Sequence, residues 1–212
     1  MRWFLDMCIL IYHASRDNSQ LSKKTAAFFS KNKGKKFLLC HYLIEKDLPK
    51  WIKRQKILTD EVIKKIKDPS YELNFSKNEE YLYKTDKQKA EKLIVKAEFT
   101  KDKDSFVKTL INLQKDMESV IFNFIRNEAE KVILIAEIDE DLKSQLFTFL
   151  NNISDSNILA SAIQYHNKEE LTLLTGDKKD WNKNNIEWVF DSRPDLAKKY
   201  NKIPEIKYIQ NM

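Results

Sequence analysis

Trp3-Phe4-Leu5-Asp6-Met7-Cys8-Ile9-Leu10-Ile11-Tyr12-His13-Ala14 decides how the rest of the chain is read. Its first three residues form a short apolar run suited to a buried parallel strand. Met7 to Ala14 then stays apolar in the manner of a loop turning into a helix. Asp6 stands between the two, at the carboxyl end of the strand. A carboxylate flanked by apolar residues on both sides costs free energy unless a cation, a hydrogen bond or loss of its charge compensates.

The same strand-then-helix pattern recurs downstream. Lys31-Asn-Lys-Gly-Lys-Lys36 is a polar turn signal that delivers the chain into a second strand, Phe37 to Cys40, with Glu45 on the helix that follows. Val132-Ile-Leu-Ile135 reads as a third strand, followed by Asp139 capping a helix that runs to about Leu150. Another helix starts near Ser154-Asp155 and buries Ile158, Leu159, Ala162 and Ile163. Leu171 to Thr175 reads as a fourth strand ending in Gly176-Asp177, and Ile186 to Phe190 as a fifth. Strands alternating with helices predict an α/β fold with a parallel sheet of about five strands flanked by helices.

From about Ile57 to Lys131 the pattern changes to helical periods rich in lysine and glutamate, broken at Asp68-Pro69-Ser70 and around Ser76 to Glu80. Residues 57–130 are therefore expected as a long helical insertion in a domain formed by 1–56 and 131–191. The clearest element of this region runs from Asp104 to about Ala129, with Val107, Leu110, Ile111, Met117, Ile121, Phe124 and Ile125 at helical spacing facing a core. The tail, 191–212, is expected to form a short helix and an extended end. There is no internal repeat and no low-complexity tract.

A chain of 212 residues with 42% hydrophobic content buries one substantial core or one core carrying a subdomain. A net charge of +6 and a pI near 9.0 favour a polyanionic partner without establishing one, because a third of the residues are charged and most face water. Cys8 and Cys40 both lie in apolar segments, where cysteine packs as a small hydrophobe, so a disulfide framework and a zinc cluster are not expected. His13, His41 and His166 show no metal-ligand spacing and read as surface or packing residues. Asp6 interrupts the amino-terminal apolar run, which does not read as a signal peptide, and no apolar stretch approaches the roughly 18 residues of a membrane span. A soluble, cytoplasmic protein without membrane association is the expectation.

In an open parallel sheet, groups at the carboxyl ends of the strands converge on one crevice. Asp6 and Asp177 belong to that edge, and Asp155 and Glu45 reach it if their helices begin or pass there. Carboxylates held together repel one another and stay ionised mainly when a cation neutralises them, and oxygen-only ligation selects Mg²⁺ or Mn²⁺. Three of the four also have a bland use: Asp155 as a first-turn acid favoured by the helix dipole, Glu45 as a solvated helix residue, Asp177 as part of an ordinary Thr-Gly-Asp turn; Asp6, flanked by apolar residues on both sides, has few. The joint pattern carries more weight than any one position.

The segments that hold these acids resemble the PIN-domain nuclease family. The likeness lies in Trp3 to Tyr12, in Leu43-Ile-Glu45, in Asp155-Ser-Asn-Ile-Leu-Ala-Ser-Ala162 and in Leu173-Leu-Thr-Gly-Asp-Lys-Lys-Asp-Trp181. It covers about 1–55 and 131–191. The resemblance implies a Rossmann-like sheet whose acidic pocket binds Mg²⁺ or Mn²⁺ and hydrolyses phosphodiester bonds, most often in single-stranded RNA. It puts Asp6, Glu45, Asp155 and Asp177 at the family's acidic positions, with Asp47 competing for the role of Glu45. It also puts Thr175 where a hydroxyl orients an acid, Asp180 where a further acid joins the metal site, and Asn157 at a supporting contact. On that reading Asp6 and Asp177 are the principal ligands, Asp155 completes the shell, and Glu45 binds a second ion or orients the water.

For the substrate, Lys50-Trp51-Ile-Lys53-Arg54 combines cations with an aromatic face, as a single-strand contact does, and Lys31 to Lys36, with Lys35 and Lys36 foremost, is a second candidate. Both also read as solvated surface, with Trp51 packed on a core. A non-catalytic RNA- or protein-binding scaffold and a DNA structure-specific nuclease are the alternatives; within the nuclease reading a toxin with an inhibitory antitoxin partner and an RNA-processing enzyme are both open, and the insertion is expected to select substrate or to pair subunits of a homodimer. A haloacid-dehalogenase-type phosphatase would need an Asp where the chain has Cys8, and no glycine-rich Gly-Lys-Ser/Thr loop exists for a P-loop NTPase.

Overall fold

The computed structural model describes residues 2–15, 19–75 and 82–212. The expected break around Ser76 to Glu80 lies outside them. The chain forms two compact units, one of Met1–Asp47 with Val120–Met212 and one of Leu48–Ser119. The second unit thus begins at Leu48 rather than near residue 57 and ends at Ser119.

The first unit is α/β. Its five strands are β1 (Arg2–Leu5), β2 (Phe37–Cys40), β3 (Ala129–Val132), β4 (Leu171–Thr175) and β5 (Glu205–Tyr208). They form one all-parallel sheet in the order β3-β2-β1-β4-β5. The chain builds outward from β1 to one side through β2 and β3, then returns to the other side with β4 and β5. The strand order therefore reverses at β1 and β4, where the crevice of such a sheet lies. The central strands read as unbroken apolar runs because both faces are covered: Phe4, Leu5, Leu38, Leu39, Leu173 and Leu174 are fully buried.

Helices α1 (Met7–Ala14) and α2 (Gln20–Lys31) follow β1. Trp3, Phe28, Phe29, Phe37 and Phe124 interlock largely edge to face, with centroids 4.9 to 5.9 Å apart, and His13 packs 4.4 Å from Phe29. A wide π-helical turn at Leu43–Asp47 precedes Pro49, whose missing N–H and bulky ring disfavour a regular turn there.

The second unit consists of α3 (Leu48–Lys67), α4 (Lys84–Glu98) and the first part of α5 (Lys103–Asn127). Leu58, Val62, Ile66, Leu82, Ala90, Ala97 and Val107 form its core. Buried Glu61 takes hydrogen bonds from Tyr71 Oη (2.9 and 3.0 Å), from the Asn74 N–H (2.7 Å) and from Lys64 (3.0 Å).

Two strands fall elsewhere than expected. The third lies at Ala129–Val132, not Val132 to Ile135, because Ile133 turns to a φ of 52°, a conformation that stops a strand and strains a β-branched residue. Ile186 to Phe190 is not a strand but lies in α8 (Lys183–Ser192), after α6 (Glu140–Leu150) and α7 (Ile153–Lys168). Asn182 caps α8 and Ile186, Val189 and Phe190 are buried at helical spacing. The fifth strand comes from the tail, Glu205–Tyr208, after the short helix α9 (Pro194–Lys199). Among the described residues, no helix is long and apolar enough to cross a membrane.

Candidate metal centre

Register sets the site. Leu5 lies opposite Leu174 in the β1/β4 ladder, and the Asp6 N–H donates to the Leu174 carbonyl at 3.1 Å, so Asp6 leaves β1 beside Thr175 at the end of β4. The Thr175 hydroxyl joins the two strands chemically. It donates to Asp6 Oδ2 (2.7 Å) and accepts the Asp177 N–H (2.9 Å). The Cys8 thiol also donates to Asp6 Oδ2 (2.9 Å) and accepts the Gly176 N–H (3.0 Å). Gly176 is required by this approach: a Cβ there would lie 2.7 Å from Tyr12 Cε2 and 3.1 Å from Cys8 Sγ.

The loop after β4 then folds on Asp177. Its Oδ1 accepts the N–H groups of Lys179 (2.8 Å) and Asp180 (3.0 Å), an Asx turn that brings Asp180 back beside Asp177. Asn182 and Asn185 tie the loop to α8, the latter donating to the Asp180 carbonyl at 3.2 Å. Trp181 is fully buried beneath the loop, and its carbonyl accepts from Tyr208 Oη at 2.8 Å.

Asp155 enters from α7. Asn152 caps that helix, its Oδ1 accepting the Ser154 N–H at 3.0 Å, and its Nδ2 donates to Asp155 Oδ2 at 2.5 Å. One carboxylate oxygen from each of Asp155, Asp177 and Asp180 can be chosen so that all lie within 4.8 Å of one another. In an octahedron of ligands about 2.1 Å from Mg²⁺, cis oxygens stand about 3.0 Å apart and trans oxygens about 4.2 Å, so the trio would have to draw together by up to about 2 Å to share one small divalent cation.

The electrostatics agree with that donor set. Burial and then repulsion from Asp6, Asp177 and Asp180 push the Asp155 carboxyl up from 3.8 to about 7, against a hydrogen-bonding pull from Trp181. Asp6, only 6% exposed, is likewise raised by burial, against hydrogen bonds from Cys8 and Thr175 that favour its charged form. Tyr12 is raised by burial and by the charges of Cys8, Asp6 and Asp177, which places its phenol beside the same group.

The structure thus brings together Asp155, Asp177 and Asp180, with Asp6 joined to them through Thr175. Glu45 is placed differently. It is 54% exposed on the π-helical turn and its Oε1 lies 2.8 Å from His41 Nδ1. Asp47 instead reaches α7, accepting from Ser154 Oγ next to Asp155. Asn157 donates to the Ile153 carbonyl of its own helix (2.6 Å), a bond internal to α7.

Lys35 and Lys36 precede β2 and so lie at the amino edge of the sheet, opposite the acids; they donate to Asn32 and to the Asn127 carbonyl. Lys50, Trp51, Lys53 and Arg54 begin α3 in the second unit. Trp51 is buried, Lys50 and Lys53 are exposed, and Arg54 stacks 4.6 Å from the Tyr83 ring centroid and lies 3.4 Å from buried Asp86.

Cys8, Tyr12, Asn152 and Trp181 are the functional neighbours that sequence reasoning left without a role. Asn152 carried a legible signal, an Asn two residues before Ser154-Asp155 at a helix start. Cys8 read as an apolar filler and instead joins the hydrogen-bond network of Asp6. No protein-family model, curated protein or solved structure matches this chain.

Proposed function

We propose that this protein is a divalent-metal-dependent nuclease that hydrolyses phosphodiester bonds, with single-stranded RNA as the substrate class. The observation that carries the reading is the convergence of Asp155, Asp177 and Asp180 at the carboxyl edge of a parallel sheet, with Asp155 raised to about 7 by burial and by the neighbouring acids. The preference for RNA rests on the resemblance to PIN-domain nucleases.

Asp155, Asp177 and Asp180 would hold Mg²⁺ or Mn²⁺, which when bound lowers the pKa of water and offsets charge building on the phosphate. Asp6 would act beside them, its carboxylate oriented by Thr175 and Cys8. Thr175 fixes the spacing between Asp6 and the Asp177 backbone, so the two acids move as one unit. Asp47, through Ser154, supports the helix turn that presents Asp155.

One observation favours the alternative of a non-catalytic RNA- or protein-binding scaffold: Asp177 and Asp155 already serve local structure, one holding an Asx turn and the other bonded to its helix cap. Cleavage of a labelled mixed-sequence single-stranded RNA in Mn²⁺ separates the two, with EDTA, Asp6→Asn and a single-stranded DNA alongside. Metal-dependent cutting that disappears in Asp6→Asn supports the nuclease. RNA bound but uncut by the folded wild type supports the scaffold, and preferential cutting of DNA reassigns the substrate.

A further inference from the structure

Helix α8 turns one aromatic ring away from the core, close to the edge of the sheet that carries the acids. Ile186, Val189 and Phe190 bury one side of the helix, which leaves Lys183, Asn184, Glu187, Trp188 and Asp191 on the other. Trp188 is 61% exposed and is the single apolar side chain of that outer face. A lone exposed apolar residue is ordinary. Trp188 differs in being held: Phe149, near the end of α6, meets it edge to face with ring centroids 4.6 Å apart. The contact orders the indole while most of it stays in water.

Both rings lie one step from the acids. Asn185, three residues before Trp188 and so about 4.5 Å back along α8, donates to the carbonyls of Asp180 (3.2 Å) and Lys179 (3.4 Å). Asn152, three residues after Phe149, caps α7 and donates to Asp155. The aromatic pair is thus bracketed by the two segments that present Asp180 and Asp155. Lys179 stands between Asp177 and Asp180 in the same loop, and its side chain is exposed with no ion pair among the described residues.

An ordered, exposed indole beside an open cation is the composition of a single-strand contact, in which the ring takes a base and the cation a phosphate. We propose that Trp188, braced by Phe149, is a base-stacking platform for single-stranded nucleic acid, with Lys179 holding the backbone between the stacked base and the acids. The inference rests on the nucleic-acid reading above and adds to it the residue that receives a base. It supplies the aromatic contact that Trp51, buried in the other unit, does not. A protein partner fits this face less well. A stable protein interface covers roughly 800 Å² a side around an apolar centre, whereas here an indole and a half-buried phenyl stand among Lys183, Asn184, Glu187 and Asp191.

The test is binding of short mixed-sequence single-stranded RNAs, each carrying 2-aminopurine at a different position, whose fluorescence falls on stacking against an aromatic ring. Ca²⁺ replaces Mn²⁺, and the RNA is recovered to verify that it is intact. The wild-type chain should quench the probe at one position. Trp188→Ala should weaken binding about 10-fold and abolish that quenching, while Trp188→Phe, which keeps a stacking face, restores most of both. Lys179→Ala should lower the salt dependence of binding by about one phosphate contact. Because Trp188 touches none of the acids, Mn²⁺ affinity should be the same in wild type and both Trp188 variants. RNA bound without quenching at any position, or bound as tightly by Trp188→Ala as by wild type, would overturn the inference and leave the nuclease reading standing. Stacking through Trp188 in a chain that takes up no Mn²⁺ would support the inference while the metal-site reading fails. A wild-type chain that binds Mn²⁺ but no RNA would remove the nucleic-acid reading and the inference together. Dimers of the wild type that Trp188→Ala dissociates would also overturn it, assigning this face to a second copy of the chain.

Discussion

The two edges of one sheet treat acidic side chains in opposite ways. At the amino edge Arg2 opens β1, bridges to Glu130 on β3 and to Glu169 after α7 (2.6 Å to the latter), and donates to Tyr165 Oη at 2.9 Å. Two carboxylates there share one guanidinium. At the carboxyl edge the groups acting on Asp155 are three more carboxylates, an indole and the side-chain amide of Asn152. The amino edge is complete as it stands, whereas the carboxyl edge accumulates negative charge that the fold holds in place through Thr175, Cys8, Asn152 and the Asp177 turn. Such an arrangement costs stability, a cost that a bound cation at the proposed metal site would offset.

The largest expected effect lies at the carboxyl edge. Asp177→Asn should reduce metal-dependent cleavage by more than about 100-fold, since even groups outside the ligand shell are worth 10- to 100-fold. Turnover of labelled RNA checks this, with Arg2→Ala as the control that should leave activity intact. Equal losses in both variants would erase the distinction between the edges.

Next in size is a stability effect that depends on pH. The folded-state value of Asp155, about 7, lies above the ordinary 3.8, so between those pH values the folded chain keeps a proton that the unfolded chain has released. The contribution of this group is therefore most favourable below pH 3.8 and is lost as pH rises through 7. Asp155→Asn removes the titration and should stabilise the metal-free protein by about 2 kcal/mol at pH 8 and by nearly nothing at pH 4, measured by urea unfolding. A variant less stable than wild type at pH 8 would mean that Asp155 is not under repulsion.

Gly176→Ala should cost a comparable or slightly smaller amount, about 1–2 kcal/mol, because the added methyl must displace the Tyr12 ring. It should also lower activity by shifting the Asp177 turn. Arg2→Ala, which leaves Glu130 and Glu169 without their guanidinium at partly exposed positions, should cost about 1 kcal/mol. The smallest effect belongs to Lys35→Ala with Lys36→Ala. Both lysines bond locally at the amino edge, so stability should move by less than about 0.5 kcal/mol and RNA affinity by less than about twofold, read by thermal unfolding and filter binding.

Much of this arrangement was legible in the chain. Trp3-Phe4-Leu5, Phe37 to Cys40 and Leu171 to Thr175 announce themselves because central parallel strands are apolar on both faces, and they place Asp6 and Asp177 at one edge. Edge strands carry no such signal. Glu205-Ile-Lys-Tyr208 is half polar and half exposed, and β3 begins with Ala129-Glu-Lys and stops where Ile133 adopts a left-handed turn. Ile186 to Phe190 has strand-like composition but buries Ile186, Val189 and Phe190 while Trp188 faces out, a helical spacing masked by its β-branched and aromatic residues.

Within the site, Asp155 and Asp177 were legible from position, Thr175 and Asp180 only through the family resemblance. Glu45 looked equivalent to them in sequence, yet its helix turns it outward to His41, while Asp47 two residues on faces α7. About half a helical turn separates these outcomes, and the wide turn before Pro49 gives composition no means of telling which acid points inward. Trp181 and Cys8 were hidden for a different reason: both have the composition of core residues, and their roles arise only from what the fold sets beside them.

The most direct test of the central claim is Mn²⁺ binding by the purified chain, followed by loss of the free ion's electron paramagnetic resonance signal, with Asp177→Asn alongside. The account predicts that the wild type removes Mn²⁺ from solution and that the variant leaves it free. A folded wild-type chain that takes up no Mn²⁺, or a variant that binds it as well as wild type, would contradict the account.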